Sequence, residues 1–241
     1  MQAQQILDTV AQDFERVNKL IIEQLSSDVP LVEKIAHYIV ESGGKRMRPL
    51  LVLLASNALG YKGENESADK IKLASIIEFL HTATLLHDDV VDTSDLRRGK
   101  ATANAKWGNA PSVLVGDFLY SRAFQMMVQI NNMPIMNILS DATNVIAEGE
   151  VFQLMNCKNP DVTEENYMAV IKSKTAMLFQ AASHSGAVLA NASAEQETAL
   201  RDYGLHLGLA FQLIDDVLDY TGSAEDMGKN VGDDLSEGKT T

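Results

Sequence analysis

The stretch that decides the fold is "ADKIKLASIIEFLHTATLLHDDVVD", Ala68 to Asp92. Leu73, Ile76, Ile77, Leu80, Thr84 and Leu85 recur at steps of three and four, the repeat of one helical face, and predict a single long helix over these residues. Its apolar run ends in a cluster of aspartates. Positions i and i+4 share a helical face, so Asp88 and Asp92 project together, with side-chain roots roughly 5–6 Å apart, and Asp89 flanks them.

Outward from this segment the same periodicity continues. Helices are predicted from about Ala3 to Leu25 and from Val29 to Val40, where "ESGGKRMRP" interrupts with paired glycines and a proline. "LLVLLASNALG" resumes as a helix stopped by Gly60. Downstream, "TSDLRRGKATANAKWGNAP" reads as a loop, and Pro111 opens a helix through Ile130. "MPIMNILSDATNVIAEGEVFQLMN" and "TEENYMAVIKSKTAMLFQAASHSGAVLA" each read as one helix, and a last one runs from about Ala194 to Tyr220. No internal repeat and no linker divides the chain, so one domain over residues 1–241 is expected, an all-α, many-helix bundle.

Composition agrees and excludes other classes. Of 241 residues, 46% are hydrophobic and 22% charged, enough apolar material for a large core. The formal net charge of −13 argues against a nucleic-acid partner. The single cysteine, Cys157, excludes an internal disulfide and suits a reducing compartment. The N-terminus is amphipathic and acidic, and the longest apolar runs are too short to span a bilayer. A cytoplasmic protein with at most peripheral membrane contact is therefore expected.

The acidic pattern occurs twice. "QLIDDVLDYTG" places Asp215, Asp216 and Asp219 at similar spacing on another apolar helix. Two like charges about 5 Å apart repel by about 3 kcal/mol at an effective dielectric near 20, so facing aspartate clusters need cations or protons to coexist. Carboxylate oxygens so spaced suit Mg²⁺, a hard ion that keeps several waters and is commonly completed by substrate phosphates. Basic groups answer an anionic substrate: Lys45, Arg46 and Arg48 in "GGKRMRP", Arg97 and Arg98 after the first acidic motif, and Lys174 with Thr175 in a helix. Arginine forks match phosphate oxygens, and paired glycines let backbone amides approach them.

The blocks "GGKRMRP", "HTATLLHDDVVDTSDLRRGKAT", "VGDF", "AEGE", "SKTA", "FQLIDDVLDY" and "GKNVGDDLSEGK" follow one another over nearly the whole chain. In this order they resemble the trans-isoprenyl diphosphate synthases of the all-helical class I isoprenoid fold. The resemblance is closest to the long-chain bacterial branch that makes octaprenyl diphosphate for quinone side chains. It implies a bundle around a central cavity in which isopentenyl diphosphate is condensed head to tail onto an allylic prenyl diphosphate, with farnesyl diphosphate as the expected primer. Asp88 and Asp92 would bind Mg²⁺ from one wall and Asp215, with Asp219 nearby, from the other, three ions bridging to the allylic diphosphate. Arg97, Lys174, Thr175, Gln212, Lys229 and Lys239 would hold that diphosphate. Lys45, Arg48, His81 and Arg98 would hold the isopentenyl diphosphate, and Asp89 and Asp216 would support the metal-binding carboxylates from outside. His81, seven residues before Asp88, lies on the same helical face; His87 reads as a supporting donor, and His37, His184 and His206 as surface or satisfied core residues.

The first aspartate helix also offers a ruler for product length. Thr84 lies one turn and Leu80 two turns before Asp88, with Ala83 beside them, lining the path of a growing prenyl chain. Ala83 and Thr84 are small and leave the entrance open; Phe124, Met126, Met127, Met133 and Met136 are candidates for the floor. Family members continue for several tens of residues beyond "EGK", so the resemblance implies C-terminal helices absent from this chain, and apolar surface exposed where they would pack. It also implies a homodimer, with the helix Pro111 to Ile130 as an interface element. Two rival readings remain: a class I terpene cyclase, which usually carries a less aspartate-rich second motif, and a non-catalytic partner subunit, which commonly loses one aspartate motif.

Overall fold

The computed structural model describes residues 3–61 and 68–221, with Gly238. The expected residues Lys229 and Lys239 lie outside the described residues. The chain folds into helices α1 (Ala3–Asp8), α2 (Ala11–Glu23), α3 (Pro30–Glu41), α4 (Met47–Ala58), α5 (Ala68–Val91), α6 (Ala103–Trp107), α7 (Asn109–Ile130), α8 (Met133–Asn156), α9 (Glu164–Ile171), α10 (Met177–Leu189) and α11 (Ala194–Thr221). A π-helical turn, Lys172–Ala176, joins α9 to α10 without a break. Between α5 and α6 lies a two-stranded hairpin, β1 (Leu96–Arg97) and β2 (Lys100–Ala101).

Helix α5 is the central element. Leu73, Ile76, Ile77, Phe79, Leu80, Ala83 and Leu86 are all buried, so its upper turns are enclosed on nearly every side rather than along one stripe. It packs most extensively against α7, and also against α4 and α2; α10 lies against α11, α4 and α8. Burying a side chain such as Phe79 or Ile76 contributes about 1.5–3 kcal/mol, so this helix is held by tertiary packing rather than by its own propensity. Starts follow the local chemistry. The Asn132 side chain accepts from Ile135 N at 3.1 Å ahead of α8, and Thr163 Oγ1 accepts from Asn166 N at 3.2 Å ahead of α9.

Four segments differ from the reading of the sequence alone. The predicted first helix is two, broken at Thr9 and Val10. The interruption at "ESGGKRMRP" ends earlier than expected, because α4 begins at Met47 with Pro49 inside its first turn, where no backbone donor is needed. Pro111 likewise sits in the first turn of a helix that starts at Asn109. The expected loop from Thr93 to Pro111 contains the hairpin and α6. Arg98 and Gly99, the two residues between the strands, both have positive φ, 53° and 73°, the sign pattern of a type I′ turn.

Candidate active site

Two groups of polar residues form along α5, about two turns apart. The first gathers around its C-terminal end. Asp92 N donates to Asp88 O at 2.8 Å, extending the last turn and keeping both aspartates on one face. Burial raises the Asp88 carboxyl from 3.8 to about 6; Lys174 and Arg97 oppose that shift, while Glu150 and Asp92 reinforce it. Asp88 thus shares its surroundings with two other carboxylates and two cations drawn from the hairpin, α8 and the π turn.

Lys174 Nζ donates to Glu150 Oε2 at 2.8 Å and to Gln153 Oε1 at 2.9 Å. The π turn that presents Lys174 is seated by α11: a Cβ at Gly208 would stand 2.5 Å from Ala176 Cα, so only glycine allows this approach. Thr175 Oγ1 donates to Gln212 Oε1 at 2.7 Å, and Gln212 Nε2 donates to Asp216 Oδ1 at 2.7 Å. The Tyr167 hydroxyl donates to the other Asp216 oxygen. This chain of bonds ties the π turn and α9 to the second aspartate motif.

The members of the second motif differ in burial. Asp215 is exposed and, with Phe211 and Leu218, lines a cavity. Asp216 is 5% exposed, and Asp219, one turn further along its face, is fully buried. Asp215 and Asp219 share a face at i, i+4; Asp215 lines the cavity, while Gln212 and Asp216 bond with the π turn and α9.

That cavity, about 480 Å³, is the second group, and it brings together Lys45, Arg48, His81 and Arg98 as the sequence suggested. Arg46 and Glu78 line it as well. The Arg48 guanidinium lies 4.3 Å from the centre of the Phe179 ring, and its Nη1 is 3.3 Å from His81 Nε2. Burial lowers Arg48 from its ordinary value to about 10, still charged at neutral pH. His81 is pushed well below 6.5 by burial and by the guanidinium groups of Arg48, Arg98 and Arg97, so it is neutral and offers Nε2 as acceptor to Arg48. Arg98 reaches in because Gly44, at φ 145°, has no Cβ: one built there would meet Arg98 Nη1 at 2.8 Å.

Arg97, expected at the allylic diphosphate, is turned inward. Its Nε and Nη2 donate to Asp89 Oδ1 at 2.9 and 2.7 Å, and Asp89 is fully buried. Asp89 Oδ2 is buried with no hydrogen bond. His87 Nε2 is 3.2 Å from Val113 O and 3.4 Å from Asp117 Oδ1, a strut between α5 and α7. His37 and His184 pair with Glu41 and Glu197, in keeping with surface roles. Of the proposed ruler, Leu80, Ala83, Met126 and Met127 are buried in the core, and Thr84, Phe124 and Met136 are half-buried. Met133 is 64% exposed and is withdrawn as a floor residue.

The donor set suits a hard divalent ion. It consists of carboxylate oxygens, among them those of Asp88, whose carboxyl burial makes costly to ionise, beside a buried oxygen on Asp89 that has no hydrogen bond. Among the described residues no three His, Cys, Asp or Glu side chains converge to hold a metal ion unaided. Substrate oxygens would have to complete the coordination, as is usual for Mg²⁺. Glu78, Glu150, Gln153 and Tyr167 are site residues that the sequence reading did not assign. Glu78 carried a signal, three residues before His81 on the same face, whereas Tyr167 had none, since its partner Asp216 lies 49 residues away.

Helical bundle, twin aspartate motifs and a basic cavity bordered by Asp215 of the second motif describe a class of isoprenoid-type synthases, and the comparisons agree. Residues 29–241 match the polyprenyl synthetase family, and the chain belongs to that family. It is 58% identical over 241 residues to octaprenyl diphosphate synthase of Escherichia coli, covering 100% of this chain and 73% of that protein. It is 52% identical over 238 residues to the geranyl-diphosphate-specific all-trans-nonaprenyl-diphosphate synthase of Rhodobacter capsulatus, covering 99% and 72%. A crystal structure of polyprenyl synthase from Caulobacter crescentus, complexed with calcium and isoprenyl diphosphate, superposes with a TM-score of 0.95 at 50% identity, covering 100% of this chain and 72% of that one.

Proposed function

We propose that this protein condenses isopentenyl diphosphate head to tail onto an allylic prenyl diphosphate, giving a long-chain all-trans polyprenyl diphosphate, and that the product is octaprenyl diphosphate for quinone side chains. The observation that carries the two-substrate reading is the basic cavity on the same face of α5 as Asp88, one helical segment away. A single-substrate cyclase has no use for a second anion pocket.

Asp88 and Asp92, with Asp215 opposite, are the residues that would hold Mg²⁺, which when bound supplies electrostatic stabilisation to the departing diphosphate. Lys174 is held by Glu150 and Gln153 within reach of the Asp88 surroundings, and transfers its hydrogen bonds to the allylic diphosphate as that group gains charge. Thr175 and Gln212 orient it through their mutual bond. Arg97 braces Asp89, and so acts on the diphosphate side by steadying the end of α5. Lys45, Arg48 and Arg98 hold the second diphosphate, and His81, neutral, orients Arg48 rather than adding charge. Fixing both substrates along one helix converts a bimolecular addition into an intramolecular one. Once the allylic C–O bond breaks, the isopentenyl double bond attacks the allylic carbon and a proton is lost to the released diphosphate.

The dimer is part of this proposal. Leu114 and Val128 on α7 are 65% and 67% exposed and fall four turns apart on one face. Val151, Leu154 and Met155 on α8 are also exposed. Such apolar surface suits burial against a second copy. No helix among the described residues is long and apolar enough to cross a membrane.

Product analysis tests the reading. Farnesyl diphosphate, isopentenyl diphosphate and Mg²⁺ should give octaprenyl diphosphate as the dominant end product by chromatography. Consumption of the allylic substrate without isopentenyl diphosphate would instead establish a cyclase, and a different end product would correct the chain length.

A further inference from the structure

The basic cavity contains a residue that diphosphate binding by itself does not explain. Glu78 lies on α5, one turn before His81, and its side chain is only 14% exposed. Its Oε1 is 3.9 Å from Arg46 Nε, and it lines the same cavity as Arg46, Arg48 and Arg98. All three guanidinium groups act on it: burial pushes its carboxyl up, and each of the three pulls it back. The relation is mutual, since Glu78 favours the charged form of the buried Arg48 and, together with Asp89, that of Arg98 against burial.

A carboxylate in an anion pocket opposes its ligand by simple Coulomb repulsion. Its presence makes sense from the opposite side. Three guanidinium groups crowded round one partly buried space repel one another, and long side chains escape such repulsion by turning out to water. Arg46 is already under constraint, with φ 45° at the residue preceding α4 and a further hydrogen bond to Asn18. Arg98, at φ 53°, is likewise held in the left-handed region. A central anion lets all three remain converged when no ligand is there.

We propose that Glu78 is a positioning residue of the isopentenyl diphosphate pocket, gathering the guanidinium groups of Arg46, Arg48 and Arg98 around one cavity before the diphosphate arrives. It touches no reacting atom. This inference rests on the reading of that cavity as the isopentenyl site. Its net effect on binding is favourable, because preorganising three bidentate donors outweighs the repulsion from one carboxylate.

The test is the near-isosteric Glu78→Gln in the full chain, with steady-state kinetics in both substrates. KM for isopentenyl diphosphate should rise about ten-fold or more, while kcat and the KM for the allylic substrate stay within about three-fold and the melting temperature does not fall. Glu78→Asp, which keeps the charge on a shorter stem, should lie between wild type and Gln. An unchanged or lowered KM for isopentenyl diphosphate in Glu78→Gln would overturn the proposal, as would equal increases for both substrates accompanied by a lower melting temperature, which would mean a merely structural residue. Wild-type protein that consumes no isopentenyl diphosphate would instead defeat the assignment of the cavity, so the two failures are distinguishable.

Discussion

Asp88 shows how much a single residue's chemistry depends on what surrounds it. Its carboxyl stands at about 6 in the folded chain against 3.8 ordinarily, chiefly through burial. A raised value means that the folded chain holds the proton more tightly than the unfolded one. The stabilising contribution is complete below about 3.8 and is lost as pH rises through about 6, where the buried group must ionise. A bound cation reverses that cost. The rise in melting temperature on adding Mg²⁺ should therefore grow between about pH 5 and pH 7, and in Asp88→Asn it should be small and flat. A pH-independent rise in wild type, followed by differential scanning fluorimetry, would contradict this. The aspartate itself was legible from its spacing. Its proton affinity was not, nor was the neutrality of His81, because both are set by groups brought in from α4, α8, the hairpin and the π turn.

At the scale of elements, periodicity located the long helices and missed the local irregularities that aim the side chains. The hairpin at Arg98–Gly99 lacks the Asn-Gly or Asp-Gly signature, yet it turns Arg97 back to Asp89 and sends Arg98 into the cavity. The π turn at "KSKTA" looks like ordinary helix in sequence, since one extra residue per turn leaves little trace in an alanine-rich segment. The α5–α7 interface is where product length should be decided. Ala83 on α5 is fully buried, close in sequence to the Asp88 turn, and a growing prenyl chain gains about 0.8 kcal/mol per methylene-sized group it buries. Ala83→Phe should shift the products to shorter prenyl diphosphates, read by reversed-phase chromatography. An unchanged distribution would remove Ala83, Thr84 and Leu80 from the path.

For the whole molecule, the exposed apolar faces of α7 and α8 are the feature that an isolated chain leaves unexplained. If the proposed dimer uses this face, replacing both Leu114 and Val128 by Asp should convert it into a monomer by size-exclusion chromatography with light scattering, with little change in the melting of the monomer, since both side chains already face water. A dimer that persists would place the interface elsewhere. On α11, Leu213, Ile214, Val217, Leu218 and Tyr220 are also exposed around the second aspartate motif.

The sequence by itself determined the helical class, the two aspartate motifs and the basic groups that accompany them, because a 3.6-residue period and an i, i+4 spacing are local properties of the chain. Only the tertiary structure decided which carboxylates face a cavity and which are buried. Asp215 and Asp219 are near-equivalent in the motif and share a face of α11, yet Asp215 is exposed beside the cavity that holds Arg48 and Arg98, and Asp219 is fully buried. Orientation about a helix axis is fixed by the packing of neighbours distant in sequence, which is also why Glu78 emerged as a member of the site only once three arginines from two separate segments had been folded around it.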